Sequence, residues 1–398
     1  MDKPIPINED VYWVGINDRE THLFESLWPL PHGVSYNAYV IKDERIALID
    51  TVKFTVTSPY LDKIKKLAGD RIDYLVINHM EPDHSGSITA LLDVFPDIKI
   101  VGNRKTAKFL ENFYGITKNV HVIDDEDEID LGSRKLRFHM TPMVHWPETM
   151  MTYDTKDRIL FSGDAFGGFG TLDGGIFDDE LNLEFFEDEI SRYYTNIVAK
   201  YSPMVQAALR KLSGLDIDIV CPTHGPIWRE DPGYIIDYYD RLSSMDAEEG
   251  VVIIYGSMYG NTKKMADRIA RTLAEEGVEK IRVLDASKTH MSYLVNEAWK
   301  YRGLVIGTPT YNTGIFPPVD AFVHFLSKSR IKNHVIGVFG SCGWGGGGVK
   351  GLNEFAESSF CRKLDPVVEA MGAATEEQLE QLDELARKMA EEIKQLSC

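Results

Sequence analysis

Tyr74-Leu-Val-Ile-Asn78 is followed at once by His79-Met80-Glu81-Pro82-Asp83-His84. The first five residues read as a short apolar strand, and the next six hold four side chains able to ligate a metal, His79, Glu81, Asp83 and His84. Side chains alternate in an extended chain, so His79, Glu81 and Asp83 fall on one side, and Pro82 favours an extended conformation at Glu81. His84 then turns in from the bend that follows. A polar loop in which Asp83 or Ser85 caps a helix starting near Ser87 fits the same residues.

Three later segments favour the metal. His145 follows the strand-like Leu136–Met140 and is flanked by Pro142 and Pro147; Asp164 ends Leu160-Phe-Ser-Gly-Asp164; His224 sits in Ile219-Val-Cys-Pro-Thr-His224-Gly. Each comes just after an apolar strand, where a rigid scaffold presents ligands. One such histidine is usually structural; four such segments together point to a site. The set comprises the imidazoles of His79, His84, His145 and His224 and the carboxylates of Glu81, Asp83 and Asp164, harder and more anionic than a histidine-rich zinc set. Carboxylates offset the added charge of ferric iron, and zinc has no redox chemistry. Imidazole sets also bind zinc, so the metal stays open at this point.

Around this run the first half alternates short strands (Val11–Gly15, Tyr39–Ile41, Ile46–Asp50, Ile98–Val101) with helical patterns at Ser58–Leu67 and Ser87–Phe95 and a longer one at Glu184–Leu212. This predicts a sandwich with outer helices. Near 244 the pattern changes: Ser244-Met-Asp-Ala-Glu-Glu-Gly250 is polar, and Val251–Tyr255 opens a strand apolar on both faces. The border is set at 1–248 and 249–398. From there, strands (Lys280–Leu284 and the fully apolar Gly303–Gly307 and Val335–Phe339) alternate with helices (Thr262–Glu276, another after Leu284, and a tail helix Thr375–Leu396), which predicts a doubly wound parallel sheet.

Three loops of that second half form a candidate cofactor site. Ser257, Met258, Gly260, Asn261 and Thr262 link the first strand to its helix; glycines permit the turn, and N–H groups with the two hydroxyls suit a phosphate monoester. Neither a G-x-x-x-x-G-K-[ST] nor a G-x-G-x-x-G spacing is present there. Thr308, Pro309, Thr310, Tyr311 and Asn312 follow the next buried strand; Ser341, Gly343, Trp344 and Gly345 follow the one after. Tyr311 and Trp344 are placed to stack on a flat ring, which glycine-rich backbone lets approach closely.

The bulk properties agree with a two-domain soluble chain. At 398 residues two cores are expected. The net charge of -19 repels nucleic acid and anionic membrane, leaving small molecules or a basic-patched protein as partners. Cys221, Cys342, Cys361 and Cys398 form no C-x-x-C pair, which excludes a rubredoxin or zinc ribbon within these residues and predicts reduced thiols in a cytoplasmic protein. The start, Met1-Asp-Lys-Pro, is not a secretory signal, and no apolar run is long enough to span a membrane.

The ligand order resembles the metallo-β-lactamase superfamily over about residues 1–245, with Glu81 where the hydrolases carry their middle histidine. The three loops resemble flavodoxin over 251–398. Together they resemble the flavodiiron family: an N-terminal metallo-β-lactamase-like αβ/βα sandwich plus a C-terminal flavodoxin-like sheet. The resemblance implies one iron on His79, Glu81 and His145, a second on Asp83, His84 and His224, Asp164 bridging, and FMN in the second domain. The pair of irons, held about 3.5–4 Å apart, would reduce nitric oxide to nitrous oxide, dioxygen to water, or both, with electrons from rubredoxin or a similar donor. It also implies a head-to-tail homodimer, or a dimer of dimers. His22, Phe24, Trp146 and Tyr193, with Tyr194 as an alternative, are expected to wall the substrate pocket. Two other readings stay open from residues alone: a zinc hydrolase with an accessory flavodoxin module, and a redox sensor or electron carrier with structural metals.

Overall fold

The structure, a computed structural model, describes residues 3–395. Met1, Leu396 and Cys398, which enter the reading above, lie outside the described residues. The chain divides into two compact units between Ser243 and Ser244.

The first unit holds two sheets. One has seven strands in the order Ile5–Pro6, Val11–Trp13, Tyr39–Ile41, Ala47–Ile49, Tyr74–Val76, Lys99–Gly102 and Val120–Val122, antiparallel as far as Ala47–Ile49 and parallel beyond it. The other has five, Glu128–Asp130, Lys135–Met140, Met150–Asp154, Ile159–Gly163 and Ile219–Pro222, antiparallel except for the last pair. Parallel neighbours need a crossover. Helices supply it at Thr57–Ala68, Ile88–Val94 and Arg104–Tyr114 in the first sheet and at Leu183–Tyr193 and Ser202–Leu212 in the second. Helix Arg104–Tyr114 shows why such a segment starts and stops where it does: the Asn103 side chain accepts the Lys105 and Thr106 N–H groups, and Gly115 closes the helix with φ 68°.

The two sheets meet through buried side chains. The Tyr39 and Phe161 rings lie 5.2 Å apart. Asn78, just past Tyr74–Val76, accepts a hydrogen bond from the Thr152 hydroxyl (2.7 Å), and its carbonyl takes the Met150 N–H (3.1 Å). The sandwich is thereby fixed at the end of the strand that leads into His79.

Two local expectations change. Residues 79–84 do not stay extended: Glu81 does (φ -58°, ψ 141°), as a residue before proline must, but Pro82–Ser85 forms a helical turn. Asp83 therefore leaves the side shared by His79 and Glu81. The region Glu184–Leu212 is not one helix but a helix Leu183–Tyr193, a π-helical turn Tyr194–Val198, a 3-10 turn Ala199–Tyr201 and a helix Ser202–Leu212. Pro203, in the first turn of the last piece, has no N–H to continue the earlier ladder.

The second unit is a parallel sheet in the order Ile281–Asp285, Glu248–Tyr255, Tyr301–Tyr311, Lys332–Cys342, with Phe360–Lys363 and Val368–Met371 both beside Lys332–Cys342. In chain order this is 2-1-3-4-5, the flavodoxin-like arrangement. The first strand begins at Glu248, which pairs with Tyr301; a polar strand start carries no apolar signal. Val251–Ile254, Leu304–Ile306 and Val335–Phe339 are fully or almost fully buried, and helices Asn261–Glu275 and Glu376–Gln395 cover one face with Met265, Ile269, Leu273, Leu382, Leu385, Met389 and Ile393. The helical spacing of the last four is an apolar stripe. Cys221, Cys342 and Cys361 are free thiols. Among the described residues no helix is long and apolar enough to cross a membrane.

One buried group makes this unit acid-sensitive. His334 is 1% exposed, with Nδ1 2.6 Å from the Lys332 carbonyl and Nε2 3.3 Å from the Trp299 carbonyl. Burial pulls its pKa below the ordinary 6.5 against those two contacts, and the Arg302 charge pulls the same way. As pH falls from 6.5 the unfolded chain takes up the proton first, so stability present above 6.5 is lost as pH drops through the lower native value. His334→Gln is expected to flatten that loss, which for one proton cannot exceed about 1.4 kcal/mol per pH unit. Urea midpoints of the second unit's transition between about pH 5 and pH 7 measure it; equal slopes in parent and variant count against this origin.

Candidate functional site

Each candidate ligand follows the C-terminal end of a strand. His79 comes after Tyr74–Val76, His145 after Lys135–Met140, Asp164 directly after Ile159–Gly163, and His224 after Ile219–Pro222. Gly163 (φ 60°) and Gly225 (φ 74°) make the turns beside two of them. Gly225 shows why glycine is needed: a Cβ there would meet the Gly168 nitrogen at 3.2 Å, and its N–H and C=O are held by Ser35 (2.8 Å) and Asn37 (2.9 Å).

The structure brings all seven candidates together in two groups. One donor atom each from His79, Glu81, His145 and Asp164 lie within 4.8 Å of one another, as do those of Asp83, His84 and His224. Asp164 reaches both. Its Oδ2 is 2.9 Å from His145 Nε2 and 3.5 Å from His79 Nε2, while its Oδ1 is 3.0 Å from His84 Nε2 and accepts the Thr223 hydroxyl at 2.6 Å. Neither Asp83 nor Ser85 caps a helix. Both Asp83 oxygens are buried without a hydrogen bond, and the Ser85 hydroxyl reaches the Met80 carbonyl (2.8 Å).

Tautomers show that these groups fit a cation. His224 Nδ1 lies 2.7 Å from the Ser35 carbonyl, a bond it makes only by donating, so a neutral His224 presents a bare lone pair at Nε2. That lone pair faces His84 Nε2 at 3.0 Å and Asp83 Oδ2 at 3.3 Å. His79 likewise turns Nε2 toward Glu81 Oε2 (3.2 Å). Lone pairs converging in a dry pocket repel unless positive charge lies among them. The proton equilibria carry the same sign. Burial opposes charge on His84 and His145, yet Asp83 and Asp164 raise the first to about 9, and hydrogen bonds to Asp164 and Glu81 raise the second to about 9. Burial also opposes ionised Asp164, but His84 and His79 hold its carboxyl far below the usual range. Imidazole with carboxylate donors around a dry cavity is a fit for two transition-metal ions.

A cleft of about 1180 Å³ opens onto Glu81 and Asp83 and is lined by Phe24, Tyr36, Lys53 and Phe113 among others. Of the residues expected to wall it, Phe24 lines this cleft, while Trp146 and Tyr193 do not and stand instead against the ligands: Phe24 and Tyr193 lie edge-on and tilted to His224, each at 5.5 Å, and Trp146 edge-on to His79 at 5.3 Å. The Tyr193 hydroxyl is buried with no hydrogen-bond partner. Tyr194 instead bonds Ser202 (2.8 Å). His22 is exposed and does not line this cleft; the next three residues, Leu23, Phe24 and Glu25, do. Glu25 was not singled out from sequence, and no spacing marks it. Its carboxyl is raised to about 7 by burial and by the neighbouring Glu81.

In the second unit a cavity of about 650 Å³ is lined by residues of all three loops, including Ser257, Thr262, Thr310, Tyr311, Ser341 and Trp344. Met258, Asn261, Pro309, Asn312, Gly343 and Gly345 line it too. Gly260 and Thr308 do not. Gly260 (φ 95°) sets the turn before helix Asn261–Glu275, and the buried Thr308 hydroxyl accepts the Phe316 N–H (3.0 Å). The N-cap residue of that helix offers no side chain, and Ser257 Oγ takes the Lys263 N–H at 3.4 Å, so the helix end is only partly capped. Ser257 Oγ accepts the Gly260 N–H (3.0 Å), freeing its hydrogen to donate, and Thr262 Oγ1 lies 2.9 Å from Ser341 Oγ. Gly347 (φ 144°) lets the Trp344 loop close on Thr313, whose carbonyl a Cβ would meet at 2.0 Å. Tyr259, Thr313, Cys342 and Gly372 also line the cavity, unforeseen. A helix N-terminus, two hydroxyls and two rim aromatics fit a flavin mononucleotide.

Comparison with known proteins agrees with this geometry. Residues 34–225 match the family described as ODP family beta lactamase, and residues 253–394 match flavodoxin. A nitric oxide reductase of Moorella thermoacetica is 32% identical over 99% of this chain and 100% of that protein. Rubredoxin oxygen:oxidoreductase from Desulfovibrio gigas superposes with a TM-score of 0.95 at 29% identity, covering 99% of this chain and 100% of that one. The flavodiiron protein of Giardia intestinalis gives 0.94 at 27% identity, covering 99% and 97%.

Proposed function

The chain belongs to the flavodiiron protein family, and on that premise we propose the residues through which it reduces nitric oxide to nitrous oxide, dioxygen to water, or both. His79, Glu81 and His145 would hold one iron and Asp83, His84 and His224 the other, with Asp164 offering an oxygen to each group. The carrying observation is that carboxylate, with one oxygen toward each group. Bound in these sites, FMN would supply electrons singly or in pairs and the irons would supply the redox chemistry for reducing the gas. The chain's own residues then have distinct tasks. Ser257, Thr262 and the end of helix Asn261–Glu275 bind the flavin phosphate, and Tyr311 and Trp344 flank the ring. Phe24, Trp146 and Tyr193 exclude water around the ligands. Burial and then the Asp164 charge hold the Tyr193 phenol well above its ordinary 10, so it keeps its proton and can donate to a substrate oxygen.

Similarity along the whole chain to reductases, with Glu81 in the metal run, supports this over the zinc hydrolase and carrier readings. A rubredoxin-like electron donor is supported by the likeness to the rubredoxin oxygen:oxidoreductase of Desulfovibrio gigas. The rim residues Trp344 and Tyr259 are 95% and 93% exposed, which supports a second copy covering the flavin in a head-to-tail dimer. The test is metal and flavin content followed by gas consumption by the chemically reduced protein. Two irons and one FMN per chain with consumption of nitric oxide or dioxygen are expected; absence of iron, of FMN, or of turnover rejects the proposal.

A further inference from the structure

Glu148 lies outside the ligand set, yet it is 0% exposed. Its Oε1 lies 2.8 Å from His79 Nδ1 and accepts the Met80 N–H at 2.9 Å. Its backbone carbonyl is fixed by Asn103 Nδ2 (2.6 Å), and Asn103 is itself held as the cap of helix Arg104–Tyr114. The loop His145-Trp-Pro-Glu148 therefore presents one candidate ligand, His145, and grips another, His79, at the same metal position. Oε2 has no hydrogen-bond partner, so Oε1 carries the whole interaction.

The other position is built differently. His224 Nδ1 meets only a neutral acceptor, the Ser35 carbonyl, and His84 Nδ1 is buried with no partner at all. Among the described residues His79 is the one ligand imidazole with a carboxylate on its outer nitrogen. Such a carboxylate fixes the tautomer with Nε2 bare toward the metal and makes the imidazole a stronger electron donor.

We propose that Glu148 is a positioning residue which locks His79 onto its metal and makes that position the tighter and more electron-rich of the two. This rests on the two-iron reading above. The two positions thereby differ in affinity and in ease of oxidation, although each draws on imidazole and carboxylate.

Glu148→Gln tests it, because the amide oxygen preserves both hydrogen bonds while the charge is lost. Purified with its FMN as evidence of folding, the variant is expected to release one iron to a competing chelator about 10–100-fold more readily than the parent. In Mössbauer spectra one of the two iron signals, equal in area but distinct in parameters, should change and the other stay. Glu148→Asp, which restores charge with a shorter reach, should recover part of the affinity. Two irons held as in the parent with unchanged spectra, or both environments altered alike, overturn the proposal while leaving the two-iron reading intact; a parent protein without iron overturns that reading instead. If Glu148→Gln does not accumulate, stepwise chelation of the parent should leave one slowly released iron. That iron should persist in Asp83→Ala, and its loss there overturns the proposal.

Discussion

Asp164→Asn is expected to lower gas consumption on the order of 10³-fold or more, equivalent to about 4 kcal/mol of barrier, and to leave one iron or none per chain with FMN unchanged. The argument is geometric. Asp164 Oδ2 lies with His145 and His79 and Oδ1 with His84. Asparagine has the same shape but only one acceptor, so whichever way its amide turns, an NH2 replaces an anionic donor at one of the two groups. The surrounding field loses charge as well: burial raises the carboxyl, and it is ionised because His84 and His79 outweigh that burial. Thr223 and Gly163 hold the backbone and side chain in place whatever the amide carries, so the fold should persist. Iron and flavin content measured beside nitric oxide and dioxygen consumption check the prediction. Two irons and full turnover in the variant would remove Asp164 from the centre.

The second large effect is expected in the other unit. Ser257→Ala with Thr262→Val removes two hydroxyls at the mouth of helix Asn261–Glu275. Each hydrogen bond to a charged group is worth about 1.5–3 kcal/mol, so the pair should weaken FMN by about 3–6 kcal/mol, or roughly 10²–10⁴-fold. Thr262 is buried in a close contact with Ser341, and valine matches its shape. The variant should purify with iron and little flavin, and its gas consumption should return when FMN is added in excess. Fluorescence titration of the flavin-free protein gives the affinity. Binding as tight as the parent's would show that the phosphate is held elsewhere.

These expectations stand on features of unequal visibility in sequence. The strands Tyr74–Val76, Ile159–Gly163, Val251–Tyr255 and Val335–Phe339 announce themselves because an apolar run bounded by turn residues has few other uses. The helix expected after Lys280–Leu284 is Met291–Lys300; helix Pro317–Ser329 carries Val319, Phe322, Val323 and Leu326 at helical spacing, but the Pro317-Pro318 pair at its start reads as a turn. His22 is expected at the pocket wall only through the family resemblance of the Thr21-His-Leu-Phe-Glu run. The fold leaves it exposed and lines the cleft with Leu23, Phe24 and Glu25 instead.

The sequence by itself pointed to two units, to three loops that line one cavity and to seven side chains that the fold gathers into two groups. Each of these sits within a few residues of a strand end, and short-range covalent geometry decides where a strand end points. Only the tertiary structure decided that Asp83 turns away from Glu81 on a helical turn, that Glu25 stands beside Glu81, and that Glu148 backs His79 across 69 positions of chain. Those relations depend on two sheets closing over one another, which brings together residues whose spacing along the chain carries no periodic trace.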